Sequence, residues 1–169
     1  MALPATSVNK TEINIHEVTE HVIDLFKFDL KNKEVIFYKD YDPSMPEIST
    51  NKEQLIQALI NLVRNSIQAL EHKGDVSIRT RTETSYTIGN SKYSLVAKID
   101  VIDNGPGIPE DKLKEIFYPM VSTKTEGMGL GLTIAQSIII QNQGLIECSS
   151  KQRETVFTIV LPIKSSTNE

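Results

Sequence analysis

Apolar residues recur along the chain either at every third or fourth position or at every second, and the two rhythms divide it into helices and strands. Between Ile15 and Leu30, the residues Val18, Val22, Leu25 and Phe26 keep helical spacing. Residues 51–70, "NKEQLIQALINLVRNSIQAL", predict the clearest helix. There Leu55, Leu59, Leu62, Ser66, Ala69 and Leu70 share one face, and Asn51 is placed to cap the start. A short helix is expected after Pro109 and a long one over about 130–142, with Ile134, Ala135, Ile138 and Ile139 inside it. Alternation predicts strands at 34–41, 76–82 and 92–103, with "IGNS" (88–91) turning the second into the third. "LIECSS" and "TVFTIVLP" make a closing pair. The stretch 118–126 is expected to be a flexible connection. Helices and strands mix, with antiparallel pairs prominent. The expected fold is α+β: a two-layer sandwich whose mixed, mostly antiparallel sheet is covered by helices on one face. Residues 1–12 and 164–169 are polar and aperiodic, and read as tails flanking one domain over 13–163.

Composition narrows this little further. The 169 residues suffice for one domain with a substantial core. A formal net charge of −4 leaves no electrostatic footprint for nucleic acid. No apolar run approaches the ~20 residues of a membrane helix. The start, "MALPATSVNKTE", lacks a charged-then-apolar signal pattern. Cys148 is the one cysteine, which excludes an internal disulfide and disfavours a cysteine metal cluster. A cytoplasmic setting is expected.

Three stretches carry candidate chemistry. Asn61 and Asn65 lie one turn apart on the long helix, and Gln68 extends the line. Asn competes with the helix backbone, so two of them cost roughly 1 kcal/mol on propensity scales. They form either a solvated flank or a row of amide oxygens for a hard cation and phosphates. In "KIDVIDNGPGIP", Asp103 shares the parity of Ala97, Ile99 and Val101, so it points to the apolar side at the strand's end. A carboxylate there needs a donor. Either the "DNG" turn solvates it, or the exocyclic amine of a purine does, with Gly105 and Gly107 letting the backbone approach a flat ring. In "TEGMGLGLTIAQSIII", Gly127, Gly129 and Gly131 stand at the mouth of a helix. They form either a hinge or a set of backbone N–H groups aimed at phosphate. The spacing is neither that of the P-loop nor that of the dinucleotide fingerprint.

The order of these signals resembles the ATP-binding domain of sensor histidine kinases, in the class that includes gyrase, the HSP90 chaperones and MutL (the Bergerat, or GHKL, fold). "NLVRNSIQAL" resembles the family's N box, "DNGPGI" its first glycine box, "EIFYPM" its phenylalanine box and "GMGLGL" its second glycine box. "YDPSMPEI", "IDVIDNGPGIP" and "FYPMVS" are similar to the nitrogen-regulation group in particular. The resemblance implies ATP and Mg²⁺ as ligands. It implies Asn65 as the Mg²⁺ ligand, Asn61 near the phosphates, and Arg64 and Gln68 assisting at the triphosphate. Asp103 would read the adenine amino group, with Gly105 and Gly107 shaping the pocket. Residues 118–126 would form a lid and Lys124 would meet the γ-phosphate. Gly127, Gly129 and Gly131 would contact phosphates, and Thr155 would lie close to adenine. Glu154 stands where the family usually has a glycine before that threonine.

Hydrolysing members of the class resemble one another in a Glu one turn before the magnesium Asn. Here that position is Asn61, so the general base for water is missing and transfer to another nucleophile is favoured. His16, His21 and His72 lack the family's phosphoacceptor setting. "HEVTEH" misses the zinc motif H-E-x-x-H by one residue, which leaves its rings on different faces. The nucleophile would then belong to a phosphoacceptor-His dimerisation domain absent from this chain. The resemblance further implies an NtrC-type response regulator and a PII-type signal protein as partners. A gyrase-like ATPase, a serine kinase and a non-catalytic nucleotide-sensing module remain as rivals.

Overall fold

The computed structural model describes residues 9–117 and 128–166. Its elements are β1 (Thr11–Ile13), α1 (Ile15–Lys27), β2 (Glu34–Asp40), β3 (Ile48–Thr50), α2 (Lys52–Ala69), β4 (Lys73–Ile88), β5 (Ser91–Asp103), α3 (Glu110–Leu113), α4 (Met128–Gln141), β6 (Leu145–Lys151) and β7 (Glu154–Ser165). Five strands form one sheet in the order β2-β4-β5-β7-β6. Only the β2–β4 pair is parallel; β4–β5, β5–β7 and β6–β7 are antiparallel. One face of the sheet sends Val76, Ile78, Ala97, Ile99, Val101, Phe157, Ile159 and Ile146 into the core. Against them lie Val18, Val22 and Ile23 of α1, Leu55, Leu59 and Leu62 of α2, and Leu132, Ala135 and Ile139 of α4. The expected α+β sandwich is therefore the observed one.

The opposite face is paired rather than packed. Arg79 bridges to Asp100 at 2.8 Å, Thr158 Oγ1 donates to the same carboxylate at 2.6 Å, and Arg81 bridges to Asp40 at 2.8 Å. Alternation along β4 and β5 thus assigns one side to oil and the other to charge.

Three differences from the sequence reading have local causes. First, Thr11–Ile13 is a strand paired with Ile48–Thr50, not tail. Strands of three residues are too short to show a rhythm. Second, β7 runs to Ser165, past residue 163, with a register shift against β5 near Pro162, which has no N–H to donate. Third, α4 begins at Met128, so Gly129 and Gly131 lie inside its first turn instead of ahead of it.

Helices α2 and α4 run antiparallel and are joined at both ends. Asn61 Nδ2 donates to the Gly131 carbonyl at 3.2 Å. At the other end, Asn142 is 3% exposed and uses its whole amide. Its Oδ1 accepts from Thr50 Oγ1 at 2.9 Å and from the Asn51 N–H at 3.2 Å. Its Nδ2 donates to Gln54 Oε1 at 2.9 Å and to the Ile138 carbonyl at 2.8 Å. Asn51 caps α2 as expected, accepting from the Gln54 N–H at 2.9 Å. The last turn of α2 has no basic residue of its own. Lys33 supplies the charge, donating to the carbonyls of Ile67 and Leu70 at 2.9 and 2.7 Å.

Asn142→Ala strands the Thr50 hydroxyl and the Gln54 amide inside the helix pair. Urea denaturation should show a loss of about 2–3 kcal/mol, and a loss below about 0.5 kcal/mol would contradict the clamp.

Candidate functional site

The end of β5 holds the site's one buried acid. Asp103 is 2% exposed, flanked by Val76 on β4 and Thr155 on β7. Its parity with Val101 and Ile99 places it on the helix-covered face, as the alternation predicts. Oδ1 accepts the Gly105 N–H at 3.0 Å. Burial raises the carboxyl above its usual pKa, while the Gly105 N–H and the nearby Ser66 hydroxyl pull the other way. The "DNG" turn thus supplies one donor, and burial still dominates.

Around Asp103 the strands set out a row of hydroxyls. Thr155 is 3% exposed, and its Oγ1 lies 3.0 Å from Ser150 Oγ on β6. Ser150 Oγ also accepts the Ile108 N–H at 2.7 Å, which ties the "DNGPGIP" loop to the β6–β7 hairpin. Gly107 completes that tie. Its φ is +89°, and a Cβ there would come 2.5 Å from the Lys151 carbonyl oxygen. Its glycine is explained by the hairpin, without a ligand. At Gly105 a Cβ would crowd Asp103 Oδ1 at 3.0 Å and the Ala69 carbonyl oxygen at 3.1 Å. One row deeper, Cys148 pairs with Phe157. Burial, with the Asp103 charge adding to it, pushes its thiol up to about 12. Such a thiol lines a pocket without reacting. Phe117 packs edge-on against Phe157, ring centres 6.4 Å apart, and brings the phenylalanine box beneath the site.

The α2 wall supplies the amides. Asn65 is 6% exposed, and its Oδ1 is buried without a hydrogen-bond partner among the described residues. Ser66 Oγ, fully buried, likewise makes no bond of ordinary geometry. Orphaned buried oxygens are costly, so this pair marks a place where a ligand supplies what the chain does not. A neutral amide oxygen suits a hard divalent cation. Asn61 differs. It accepts from Gln57 Nε2 at 3.1 Å and donates to Gly131, so its amide is occupied within the chain. Arg64 and Gln68 are exposed and line a small cleft with Phe26, Leu30 and Lys33, on the α1 side of α2. The structure does not bring them beside Asp103.

The α4 wall supplies free backbone N–H groups from its first turn. The φ of Gly131 is not positive, and among the described residues a Cβ there would meet nothing nearer than Asn61 Cβ at 4.0 Å. Gly129 lies in the same turn; Lys124, Gly127 and the lid expected at 118–126 lie outside the described residues. A cleft of about 340 Å³ opens on the outer side of the glycine loop among Leu70, Lys73, Asn104 and Arg153. It contains neither Asn65 nor Asp103.

His16 is engaged within the fold. His16 stacks on Tyr41 at 4.4 Å and hydrogen-bonds Thr80 Oγ1 at 2.8 Å. Sequence reading missed Ser150, Cys148 and the role of Ser66. For Ser66 a signal existed, a polar residue on the apolar face of α2. For the other two the partners are distant in sequence.

This arrangement of buried acid, orphaned amide and glycine-led helix has counterparts. The family model described as "Histidine kinase-, DNA gyrase B-, and HSP90-like ATPase" matches residues 50–165, and the chain belongs to that family. Within it, the chain is an ATP-binding catalytic domain of the histidine kinase kind. It is 31% identical to the nucleotide-free catalytic domain of histidine kinase ThkA, with a TM-score of 0.76 over 91% of this chain and 95% of that one. Among curated relatives it is 44% identical over 163 residues to the sensory histidine kinase/phosphatase NtrB of Escherichia coli O157:H7. That match covers 96% of this chain and 46% of NtrB, so the chain spans about half the length of that relative. ThkA has also been solved in complex with the response regulator protein TrrA; there the identity is 25% and the TM-score 0.75, over 94% of this chain and 43% of that one. No helix among the described residues is long and apolar enough to cross a membrane.

The raised Asp103 carboxyl has a pH signature. Near pH 3 both folded and unfolded chains are largely protonated there. As pH rises past the unfolded value of about 3.9, the unfolded chain ionises first and folding loses ground until the higher folded value is passed. Asp103→Asn removes that loss. The stability difference, variant minus wild type, should grow through this interval in urea titrations and then level off. A difference that shrinks as pH rises contradicts the buried charge.

Proposed function

We propose that this chain is the catalytic part of a sensor histidine kinase. It transfers the γ-phosphoryl group of ATP to a histidine on a dimerisation domain that this chain does not contain. The observation that carries the reading is the pairing of a buried carboxylate at the end of β5 with an unpartnered amide oxygen on α2.

Asp103 accepts a hydrogen bond from the adenine amino group, with Thr155 beside it. Asn65 Oδ1 holds Mg²⁺ without adding negative charge next to the triphosphate. The ion supplies charge neutralisation on the phosphate oxygens. First-turn N–H groups of α4 around Gly129 and Gly131 face the phosphates, favoured by the helix dipole. Asn61 keeps that turn in register with α2 through the Gly131 carbonyl. Gly127, the lid at 118–126 and Lys124, placed toward the γ-phosphate, complete the site in this reading. Phosphoryl transfer then needs positioning and charge stabilisation more than covalent help.

The position one turn before Asn65 decides between transfer and hydrolysis. Asn61 cannot serve as a general base, and its amide is already bonded to Gln57 and Gly131. Water is therefore not activated, and the incoming histidine is the acceptor. In this reading, which the similarity to NtrB supports, the whole protein acts in nitrogen regulation, with an NtrC-type response regulator receiving the phosphoryl group and a PII-type protein as a further partner. ThkA's complex with a response regulator supports a response-regulator partner.

Calorimetry should show tight ATP and ADP binding, strengthened by Mg²⁺, and weak GTP binding. Asn65→Ala should remove the Mg²⁺ effect, and Asp103→Asn should weaken ATP binding by about 10–100-fold without unfolding the domain. Purified alone, the chain should label itself negligibly, yet phosphorylate a separately supplied phosphoacceptor-His domain. Steady phosphate release without that acceptor would instead favour the ATPase reading.

A further inference from the structure

We propose that Ser150 is a positioning residue for purine selectivity, acting through the proton of Thr155. The inference rests on the adenine role of Asp103 above and adds a residue that touches no nucleotide. Ser150 Oγ has three neighbours: it accepts the Ile108 N–H at 2.7 Å, meets the Glu154 carbonyl at 3.2 Å and Thr155 Oγ1 at 3.0 Å. A serine hydroxyl has one proton to give. A carbonyl can only accept, so the Glu154 bond forms only if Ser150 gives its proton there. Thr155 must then donate to Ser150, at 3.0 Å.

That direction settles what Thr155 shows to the pocket. Its proton points at β6, and its remaining lone pairs face the side where Asp103 lies, directly across the β5–β7 pair. Carboxylate and hydroxyl oxygen together form a wall of acceptors. A 6-amino purine satisfies that wall. A 6-oxo purine turns an acceptor toward it and leaves buried groups unpaired, the situation that yields strong discrimination. The same serine anchors Ile108, so the glycine loop and the hydroxyl row are fixed by one atom. Glu154 takes part through its backbone carbonyl alone, so its side chain in place of the usual glycine does not disturb the arrangement.

The test compares ATP with ITP, which differ in the 6-substituent and in the N1–H that accompanies the 6-oxo group, by calorimetry on wild type, Ser150→Ala, Ser150→Thr and Asp103→Asn. Freed from Ser150, the Thr155 proton can turn into the pocket and donate to a 6-oxo group. The ATP-over-ITP preference of Ser150→Ala should therefore fall by about tenfold or more, while the gain from Mg²⁺ stays as in wild type. Ser150→Thr should restore the preference. A merely structural serine would lower both affinities together and leave the ratio alone; that result overturns the proposal. So does a Ser150→Ala ratio within about twofold of wild type while Asp103→Asn loses ATP, and in that case the adenine reading stands. If Asp103→Asn binds ATP normally, the adenine reading itself falls and takes this inference with it. Should Ser150→Ala not fold, Ser150→Cys, which keeps the volume but bonds weakly, is read by the same ratio.

Discussion

A carboxylate buried at the end of a central strand is the constraint on which the rest of the molecule turns. Asp103 is covered by the same sheet face and helices that bury Val101 and Ile99, yet the described residues provide it only the Gly105 N–H and a poorly aligned Ser66 hydroxyl. A fold driven only toward stability would place an apolar residue there. The structure instead closes a glycine loop around the acid, with Gly105 close against Asp103 and Ala69 and Gly107 pressed on the β6–β7 hairpin. Both glycines therefore serve the wall of the pocket before any ligand arrives.

The second constraint is the register of α2 against α4. The metal role proposed for Asn65 and the phosphate role proposed for the first turn of α4 both require a fixed separation between the two helices. Asn61 fixes it near the site and Asn142 fixes it at the far end, while Lys33 secures the last turn of α2. Side-chain amides that look costly inside helices are thus divided between two tasks. Asn61 and Asn142 hold the frame, and Asn65 keeps its oxygen free.

Much of this was legible in the sequence where the physics is local. Helical spacing located α1 and α2, and strand parity turned Asp103 inward without any knowledge of its neighbours. The order of the amide pair, the glycine loop and the glycine-led helix carried the family resemblance. What depended on distant partners was not legible. Ser150 meets Ile108 across 42 residues and Asn142 meets Thr50 across 92, and no periodicity reports such pairs. The parallel pairing of β2 with β4 and the short β1–β3 ladder were hidden for the same reason. The glycines misled in a particular way. Gly107 looked like a ligand contact and answers to the hairpin, while Gly129, read as lying at the mouth of the helix, falls within its first turn.

A crystal structure of the chain with Mg²⁺ and a non-hydrolysable ATP analogue tests the central claim most directly. The account predicts the adenine amino group within about 3 Å of the Asp103 carboxylate. It also predicts a Mg²⁺–oxygen distance of about 2.1 Å to Asn65 Oδ1. A base seated in the cleft beyond Asn104 and Arg153, or an ion held without Asn65, would contradict it.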